Sequence, residues 1–419
     1  MTGIRVSSLA NGLRVATDPM NSVETASVGV WVEAGSRYEC PTVSGISHFL
    51  EHMVFKGTRR RDARAIAEEI EAVGGHLNAH TSREYTAFYA KVLKDSLPLA
   101  IDIIADILQH ATLDDDELGR ERTVVLQEIM QAQDTPDDII FDRFQETAFP
   151  EQPLGRPVLG SPDRIASIHR DSLTQYMRNF YGVPRMILSA AGRVDHDEVT
   201  ELAERAFDRL APAAEGARAA ARYQGGDFRE ERDLEQVHLV MGFEGVGFRD
   251  PDFYAVSTLS TVLGGGMSSR LFQEAREKRG LVYSIYTFPT AYSDTGVFGL
   301  YAGTGEDEVD ELMPLICEEL VKVASDVTDV EVCRARAQLK SGVLMSLEST
   351  SARCEQLARQ LMIFGRPLPV AETVARIEAV DRDAVTRAAR RVLSSTPTLA
   401  VLGPIDRVAS YGTVREWLT

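Results

Sequence analysis

The chain has 419 residues, of which 44% are hydrophobic and 26% are charged, the proportions of a globular protein with room for two cores. Lysine and arginine number 45 against 63 aspartates and glutamates, so the formal net charge is −18. Such an acidic surface repels phosphate backbones and argues against a nucleic-acid partner. Even the apolar stretch 97–108 is interrupted by Asp102 and Asp106, so we expect no membrane-spanning helix and no membrane partner.

The first half of the chain is predicted to mix strands and helices. Asn11-Gly12 suits the tight turn of a hairpin, and Gly74-Gly75 suits the end of a helix. The predicted strands are 4–8, 13–16, 26–34 and a hairpin within 76–90, and the predicted helices are 44–55, 62–73, 95–110 and 114–133.

The segment 211–230 is typical of a linker, because it is small, polar and without β pattern, and it lies near the midpoint. The same kind of order returns after it: a strand at 237–243, helices at 253–263 and 268–279, strands within 282–302, a helical stretch at 306–393 and a last strand at 398–402. The fold class is therefore α+β, with two homologous α/β-roll domains in which a sheet is packed with helices. The predicted domains are 1–210, the linker 211–230, and 231–419.

One motif carries the chemistry. His48, Glu51 and His52 form the sequence HFLEH inside the helix predicted at 44–55, and at 100° per residue their side chains project from one arc of about 100°. Two imidazoles on one face can bind Zn²⁺, which lowers the pKa of a water to near 7, and a neighbouring carboxylate can take the proton. The alternative is two surface histidines beside a solvated glutamate. The apolar flanks instead predict a buried helix, whose polar residues need partners.

A zinc site of this kind needs a third protein ligand and an open position for water. The helix predicted at 114–133 offers Glu117, Glu121 and Glu128. Glu121 and Glu128 lie seven residues apart and share one face of that helix, so the spacing leaves both as candidates.

Five segments of the chain fit the pattern of a known family. They are WVEAGSR at 31–37, SGISHFLEHMVFKGT at 44–58, GGHLNAHTSREYT at 74–86, ERTVVLQEI at 121–129 and LGGGMSSRLFQEAREKRGLVYS at 263–284. With them the chain resembles the pitrilysin–insulinase zinc peptidases along its whole length. The resemblance is to the short-chain branch that includes the β subunit of mitochondrial processing peptidase and its bacterial relatives.

The resemblance implies that the domain 1–210 binds the metal and is catalytic, and that the domain 231–419 contributes substrate-binding residues. It implies His48, His52 and Glu128 as the ligands of one zinc ion per chain, and Glu51 as the general base. Glu121 would then orient a ligand or support the base. The implied activity is that of a zinc metalloendopeptidase with an inverted HxxEH motif, which cleaves peptides or unfolded protein segments.

Substrate-binding residues are implied in the same way. The resemblance places Asn78 and Ala79 on an edge strand that binds an extended substrate by main-chain pairing. It assigns Arg276 and Tyr283 to the substrate backbone and to the oxyanion of the tetrahedral intermediate, for which a guanidinium and a phenol are suitable donors. Arg279 and Tyr286 have the same spacing, so this second pair stays an alternative.

The resemblance also bears on assembly. Long single-chain relatives contain four such domains and this chain supplies two, so we expect a homodimer, with a heterodimer containing a non-zinc homologue as the alternative. The alternative functions are a zinc-bearing subunit that is inactive without its partner and a non-proteolytic structural homologue. The four cysteines form no CxxC pair, which is typical of a reducing compartment. We expect the bacterial cytoplasm, with an organelle matrix as the alternative.

Overall fold

The structure is a computed structural model that describes residues 3–214 and 218–419. The strands are β1 (Arg5–Ser8), β2 (Arg14–Pro19), β3 (Thr25–Val32), β4 (His76–Thr81), β5 (Thr86–Leu93), β6 (Met186–Gly192), β7 (Gly226–Glu231), β8 (Val237–Glu244), β9 (Val282–Ala291), β10 (Gly296–Thr304) and β11 (Thr398–Gly403). The α-helices are α1 (Ile46–Val54), α2 (Ala63–Ala72), α3 (Leu97–His110), α4 (Asp115–Gln133), α5 (Pro136–Ala148), α6 (Pro162–Ser167), α7 (Arg170–Phe180), α8 (His196–Ala206), α9 (Phe253–Gly264), α10 (Val309–Asp326), α11 (Asp329–Ser346), α12 (Thr350–Phe364), α13 (Val370–Glu378), α14 (Arg382–Leu393) and α15 (Tyr411–Trp417).

The described residues form two compact units, each assembled from three stretches of the chain. Unit 1 comprises residues within 1–130, 156–219 and 344–369, and unit 2 comprises residues within 131–155, 220–343 and 370–419. Across the described part of the chain, no helix combines the length and the apolar character that crossing a membrane requires.

The two units contain sheets with the same pairing pattern. In unit 1 the strand order is β1-β2-β6-β3-β5-β4, and in unit 2 it is β7-β11-β8-β10-β9. One pair in each sheet is parallel, β2 with β6 and β7 with β11. All other neighbouring strands are antiparallel. These pairs are β1-β2, β6-β3, β3-β5 and β5-β4 in unit 1, and β11-β8, β8-β10 and β10-β9 in unit 2. Unit 2 thus repeats the topology of unit 1 without β1, and the predicted α+β class with two homologous domains is confirmed.

Two helices pack on sheets that their position in the sequence does not suggest. Helix α12, which follows four of the five strands of unit 2 in the sequence, covers one face of the unit 1 sheet, where Leu357 and Leu361 join a buried cluster with Trp31. Helix α5, from the first half, covers the unit 2 sheet through Phe144. The two units therefore do not follow the predicted division of the chain at 211–230. Helical periodicity reveals that a helix has an apolar face, but not which sheet will cover that face.

Three further features differ from the sequence prediction. Strand β7 begins inside the segment predicted to be a linker, of which residues 215–217 lie outside the described residues. β7 lies at an edge of its sheet and is only partly buried, so its sequence lacks a clear alternation. Strand β6 is buried along its whole length and carries no alternating pattern at all. The helix predicted at 268–279 contains a π-helical segment, Phe272–Glu277.

Candidate metal centre

Helix α1 carries the HFLEH motif, and its packing decides where the motif points. Its apolar side chains belong to the core of unit 1; they are Ile46, Phe49, Leu50, Met53 and Val54. His48, Glu51 and His52 project from the opposite arc of the helix. Burial of the apolar face therefore directs all three polar side chains to one region of unit 1.

The N-terminus of α1 is held by a buried carboxylate. Gly45 precedes the helix at a φ of +91°, a left-handed conformation that glycine adopts without steric cost. The carboxylate of Glu39 accepts hydrogen bonds from the backbone N–H groups of Gly45 at 2.7 Å and Ser47 at 2.9 Å. Burial raises the pKa of Glu39 to about 7. The start of the motif helix is thus fixed by a group that titrates near neutrality.

Three side-chain atoms from α1 and α4 converge on one point. The Nε2 atoms of His48 and His52 lie 3.2 Å apart, and Oε2 of Glu128 lies 3.5 Å from the first and 3.6 Å from the second. In a tetrahedral zinc site with bonds of about 2.0–2.1 Å, neighbouring ligand atoms are about 3.3–3.4 Å apart. The observed triangle has the dimensions of one face of such a tetrahedron, so these residues fit a zinc ion.

The second nitrogen of His52 is held by a carboxylate and a lysine. Nδ1 of His52 lies 2.8 Å from Oε1 of Glu121, and Oε2 of Glu121 lies 2.7 Å from Nζ of Lys56. Burial alone would raise the pKa of Glu121, but the hydrogen bonds from His52 and Lys56 outweigh it and the pKa is lowered. An ionised carboxylate only accepts, so Nδ1 of His52 carries a proton, and in the neutral ring the lone pair of Nε2 faces the cluster.

His48 is neutral because of its surroundings. It is 6% exposed, and burial together with the charge of His52 lowers its pKa to about 3. Its Nδ1 has no hydrogen-bond partner among the described residues. A neutral imidazole is the form that binds a metal, and the polar contacts of this ring are at Nε2.

Glu51 contacts strand β4 rather than the cluster. Its Oε2 accepts a hydrogen bond from Oγ1 of Thr81 at 2.6 Å. Burial raises the pKa of Glu51, and this effect exceeds the opposing effects of the Thr81 hydrogen bond and of the charge on His52. A carboxylate with a raised pKa is a stronger base than an exposed one, which suits a group that takes a proton.

Strand β4 is an edge of the unit 1 sheet. It pairs with β5 on one side, and no strand of the described residues pairs with its other side. Asn78 is exposed and Ala79 is buried, and Oδ1 of Asn78 accepts a hydrogen bond from the N–H of Ala79 at 2.8 Å. The free edge of β4 can therefore pair with an extended peptide.

A cavity of about 350 Å³ lies beside this edge. Its walls come from β4, α2 and the residue after α1, and they include Phe55, Ile66, Ile70 and Leu77. These side chains are apolar, so the cavity can take an apolar side chain of a peptide that pairs with β4.

In unit 2 the structure brings Arg276 and Tyr283 together. The guanidinium of Arg276, in the π-helical segment, lies 5.2 Å from the ring centre of Tyr283, and Tyr283 is 77% exposed. The alternative pair is engaged elsewhere: Arg279 forms an ion pair with Glu311 at 3.0 Å, and the ring of Tyr286 stacks on Tyr301 with centroids 5.2 Å apart. Arg276 and Tyr283 thus contact each other, with Arg276 also 4.9 Å from the ring centre of Phe272, whereas Arg279 and Tyr286 each contact other residues.

Sequence reasoning missed two residues of the site, Lys56 and Thr81. Lys56 continues the four-residue spacing of His48 and His52 along one side of the helix, which was a usable signal. Thr81 continues the alternation of Leu77 and Ala79, both of which contact the core of unit 1. Alternation alone predicts that its side chain faces the same way, but not that it meets Glu51.

Comparison with known proteins gives matches over nearly the whole chain. Residues 14–162 match the family model described as insulinase, peptidase family M16, and residues 167–339 match the model described as the M16 inactive domain. A probable mitochondrial-processing peptidase β subunit of Arabidopsis thaliana is 41% identical over 98% of this chain and 80% of its own length. An uncharacterized zinc protease of Rickettsia felis is 39% identical over 96% of this chain and 98% of its own. The crystal structure of a protease from Helicobacter pylori superposes with a TM-score of 0.90 at 24% identity, covering 96% of this chain and all of that one.

Proposed function

Because the chain belongs to the insulinase family of peptidases, family M16, we propose that it is a zinc-dependent endopeptidase. Its substrates would be peptides or unfolded protein segments. The observation that carries the proposal is the triangle of His48, His52 and Glu128 in unit 1. Its dimensions suit one zinc ion per chain, and its surroundings keep one imidazole neutral and orient the other.

The metal and the base would have separate tasks. When bound, zinc supplies a Lewis acid that lowers the pKa of water to near 7 and polarises a carbonyl. Glu51 takes a proton from the attacking water and returns it to the amine of the leaving peptide. The raised pKa of Glu51 supports this role, because a base that must also act as an acid is most efficient when its pKa lies near the working pH.

Substrate would bind as an added strand on β4. Main-chain pairing along Asn78 and Ala79 would bind extended peptides of many sequences. Alternate side chains of a strand point to opposite faces, so one of them would enter the apolar cavity beside Phe55 and Leu77. Folded proteins offer no free extended segment of this kind, which supports peptides and unfolded segments as the substrate class.

Arg276 and Tyr283 would stabilise the negative charge that develops on the substrate carbonyl oxygen. Their mutual contact and the exposure of Tyr283 support this choice, and so does the engagement of Arg279 with Glu311. Such donors act in the transition state and therefore affect kcat more than KM.

For assembly and compartment we propose a homodimer in the bacterial cytoplasm. The relative from Arabidopsis thaliana is named as one subunit of a processing peptidase, so a heterodimer with a second homologue is the alternative. In that case the isolated chain would bind zinc without cleaving peptides.

The test is cleavage of quenched fluorescent peptides, neutral and basic, by the purified chain, with zinc quantified in the same sample. Glu51→Gln is the diagnostic variant, and Glu117→Gln, near the start of α4, is the matched control. We expect about one zinc per chain in all three proteins, with cleavage lost only in Glu51→Gln. Zinc without cleavage in the wild type would favour the partner-dependent subunit. Failure to bind zinc would contradict the proposal and favour a structural homologue.

A further inference from the structure

Thr81 forms a hydrogen bond with Glu51, the general base of the proposed mechanism. Its hydroxyl donates to Oε2 of Glu51 at 2.6 Å, which lies within the range of charge-assisted O–H···O⁻ hydrogen bonds. The contact joins two elements of unit 1, since Glu51 lies on α1 and Thr81 lies on β4.

The direction of this hydrogen bond follows from the carboxylate, which only accepts when it is ionised. Thr81 and Thr86 are paired across β4 and β5, and their Oγ1 atoms are 3.3 Å apart. Thr86 is fully buried and donates its proton to the backbone oxygen of Ala34 at 2.9 Å. Two acceptors therefore lie within reach of the Thr81 hydroxyl, Oε2 of Glu51 at 2.6 Å and Oγ1 of Thr86 at 3.3 Å, and the nearer, charged one takes the proton.

Thr81 is held rigidly where it makes this contact. It occupies the last rung of the β4–β5 ladder before the turn, and the turn is closed by a hydrogen bond from the N–H of Ser82 to the backbone oxygen of Tyr85 at 2.8 Å. Threonine is branched at Cβ, so its χ1 angle is restricted on a strand. A donor on a fixed rung can fix the orientation of the carboxylate that it binds.

We propose that Thr81 is a positioning residue for Glu51, linking the general base to the strand that receives the substrate. The inference rests on the proposed function, because it assigns a purpose to Glu51. With Oε2 occupied by Thr81, Oε1 is the oxygen left to take the proton from water. Asn78 and Ala79 lie on the same strand, three and two residues before Thr81, so the strand that would pair with a peptide also holds Glu51 through Thr81.

The test compares Thr81→Val, Thr81→Ser and Thr86→Val with the wild type. Valine keeps the shape of threonine without the hydroxyl, and serine keeps the hydroxyl. We expect Thr81→Val to lower kcat by about tenfold to a hundredfold, the cost of one hydrogen bond to a charged group. KM and zinc content should change by less than about twofold, because neither substrate pairing nor the metal ligands are altered. Thr81→Ser should restore kcat to within about threefold of the wild type.

Thr86→Val is the matched control, because it removes a buried hydroxyl from the same hairpin without touching Glu51. It should lower the melting temperature by loss of the Ala34 contact and leave kcat within about twofold of the wild type. A kcat loss as large as that of Thr81→Val would mean that the hairpin is disrupted in general, and it would overturn the inference. A Thr81→Val variant with the kcat of the wild type would also overturn the inference. The same holds for a Thr81→Ser variant whose kcat is as low as that of Thr81→Val.

A second readout does not depend on activity. In zinc-free protein, the unfolding free energies of Thr81→Val, Glu51→Gln and the double variant form a cycle that measures the coupling between the two side chains. We expect the two substitutions to be non-additive, and additivity would overturn the contact itself. If the wild type cleaves no peptide, the proposed function fails, and the cycle still decides whether Thr81 holds Glu51.

Discussion

Helices α1 and α9 occupy equivalent places in the two units: in the sequence, α1 lies between β3 and the edge strand β4, and α9 lies between β8 and the edge strand β9. The two helices differ in where most of their polar side chains find hydrogen-bond partners. In α9 the hydroxyls of Ser257, Thr258 and Thr261 each donate to the backbone oxygen four residues earlier. Of the four serine and threonine hydroxyls of α9, three are thus satisfied inside the helix, and the fourth, of Ser260, donates to Oγ1 of Thr287 on β9 at 3.0 Å. In α1 the side chains of His52 and Glu51 are held by residues of other elements.

This difference shows what makes one unit a candidate metal site. Hydroxyls that bond their own helix are acceptable anywhere in a core, because they need nothing from outside. Imidazoles and carboxylates need partners when buried, and in unit 1 Glu121 orients the free nitrogen of His52 toward Glu128. The same topology therefore carries a candidate metal centre on α1 in unit 1 and hydroxyls that bond mostly within the helix on α9 in unit 2.

The starts of the two helices differ as well. The buried Glu39 holds the N-terminus of α1 and has a pKa of about 7 because of its burial. Near the start of α9, Asp250 is paired with Arg391 at 2.8 Å. Burial would raise the pKa of Asp250, but the hydrogen bond from Arg391 outweighs it and the pKa is lowered. The helix with the candidate site thus begins at a carboxylate that titrates near neutral pH.

The largest expected effect is weaker zinc binding when a proposed metal ligand is removed from α1, so that α1, like α9, lacks one. Three ligands share a zinc-binding free energy of about 10 kcal/mol or more, so His52→Ala should weaken zinc binding by at least about two-hundredfold. Competition with a chromophoric chelator measures the affinity. His169→Ala, which removes an exposed histidine of unit 1, should bind zinc like the wild type. An unchanged affinity in His52→Ala would place the metal elsewhere.

The pH dependence of stability should distinguish the two helix starts. The pKa of Glu39 in the folded protein is about 7 against an ordinary value of 4.5, so the folded state binds more protons between these values. The contribution of Glu39 to stability is therefore complete below about pH 4.5 and is lost as the pH rises through about 7, by about 3 kcal/mol at most. Urea unfolding of zinc-free wild type and Glu39→Gln between pH 4.5 and 8 measures the difference.

Asp250→Asn is the control for this experiment. Because the pKa of Asp250 is lowered, its contribution to stability is present when the pH is above the ordinary pKa of an aspartate. This contribution is lost only at lower pH. The difference between Asp250→Asn and the wild type should therefore stay constant between pH 4.5 and 8. A Glu39→Gln difference that is equally constant would contradict the raised pKa of Glu39.

Replacement of the carboxylate behind His52 should have a smaller effect than loss of the ligand. Glu121→Gln removes the charge that fixes Nδ1–H of His52, and substitutions of such partners typically cost about ten- to a hundredfold in metal affinity. The chelator competition reports this loss, and Lys56→Met should give a smaller one because Lys56 acts only through Glu121. Equal affinity in Glu121→Gln and the wild type would remove Glu121 from the metal centre.

The smallest expected effects are in α9. Ser257→Ala and Thr261→Val remove hydroxyls that bond only within their helix, so each should change the unfolding free energy by less than about 1 kcal/mol. Zinc content should not change. A loss of zinc or of cleavage in these variants would mean that α9 has a role that the comparison with α1 does not capture.

The sequence contained enough information to predict α1 and the face that carries its motif. The apolar residues Ile46, Phe49, Leu50 and Met53 determine which side of the helix is buried, and periodicity reports them directly. Spacing alone could not sort Glu121 from Glu128, although the family resemblance implied the assignment. Two turns of α4 separate them, and which one meets the imidazole Nε2 atoms depends on where α4 crosses α1.

The sequence did not predict that α5 packs on the unit 2 sheet and α12 on the unit 1 sheet, and the cause is related. Leu357 of α12 and Phe144 of α5 are apolar residues of ordinary amphipathic helices. Nothing in their spacing says which of two similar sheets they cover, because that choice is made by long-range packing. The contact of Thr81 with Glu51 has the same origin, since it joins residues 30 positions apart on two different elements.

The most direct test of a zinc centre on α1 is X-ray absorption at the zinc edge on the purified wild-type chain. Our account predicts about one zinc per chain, with only nitrogen and oxygen neighbours at about 2.0–2.1 Å, and loss of this signal in His52→Ala. Sulfur at about 2.3 Å would indicate cysteine ligation and would contradict the account. So would a spectrum that is unchanged when His52 is replaced.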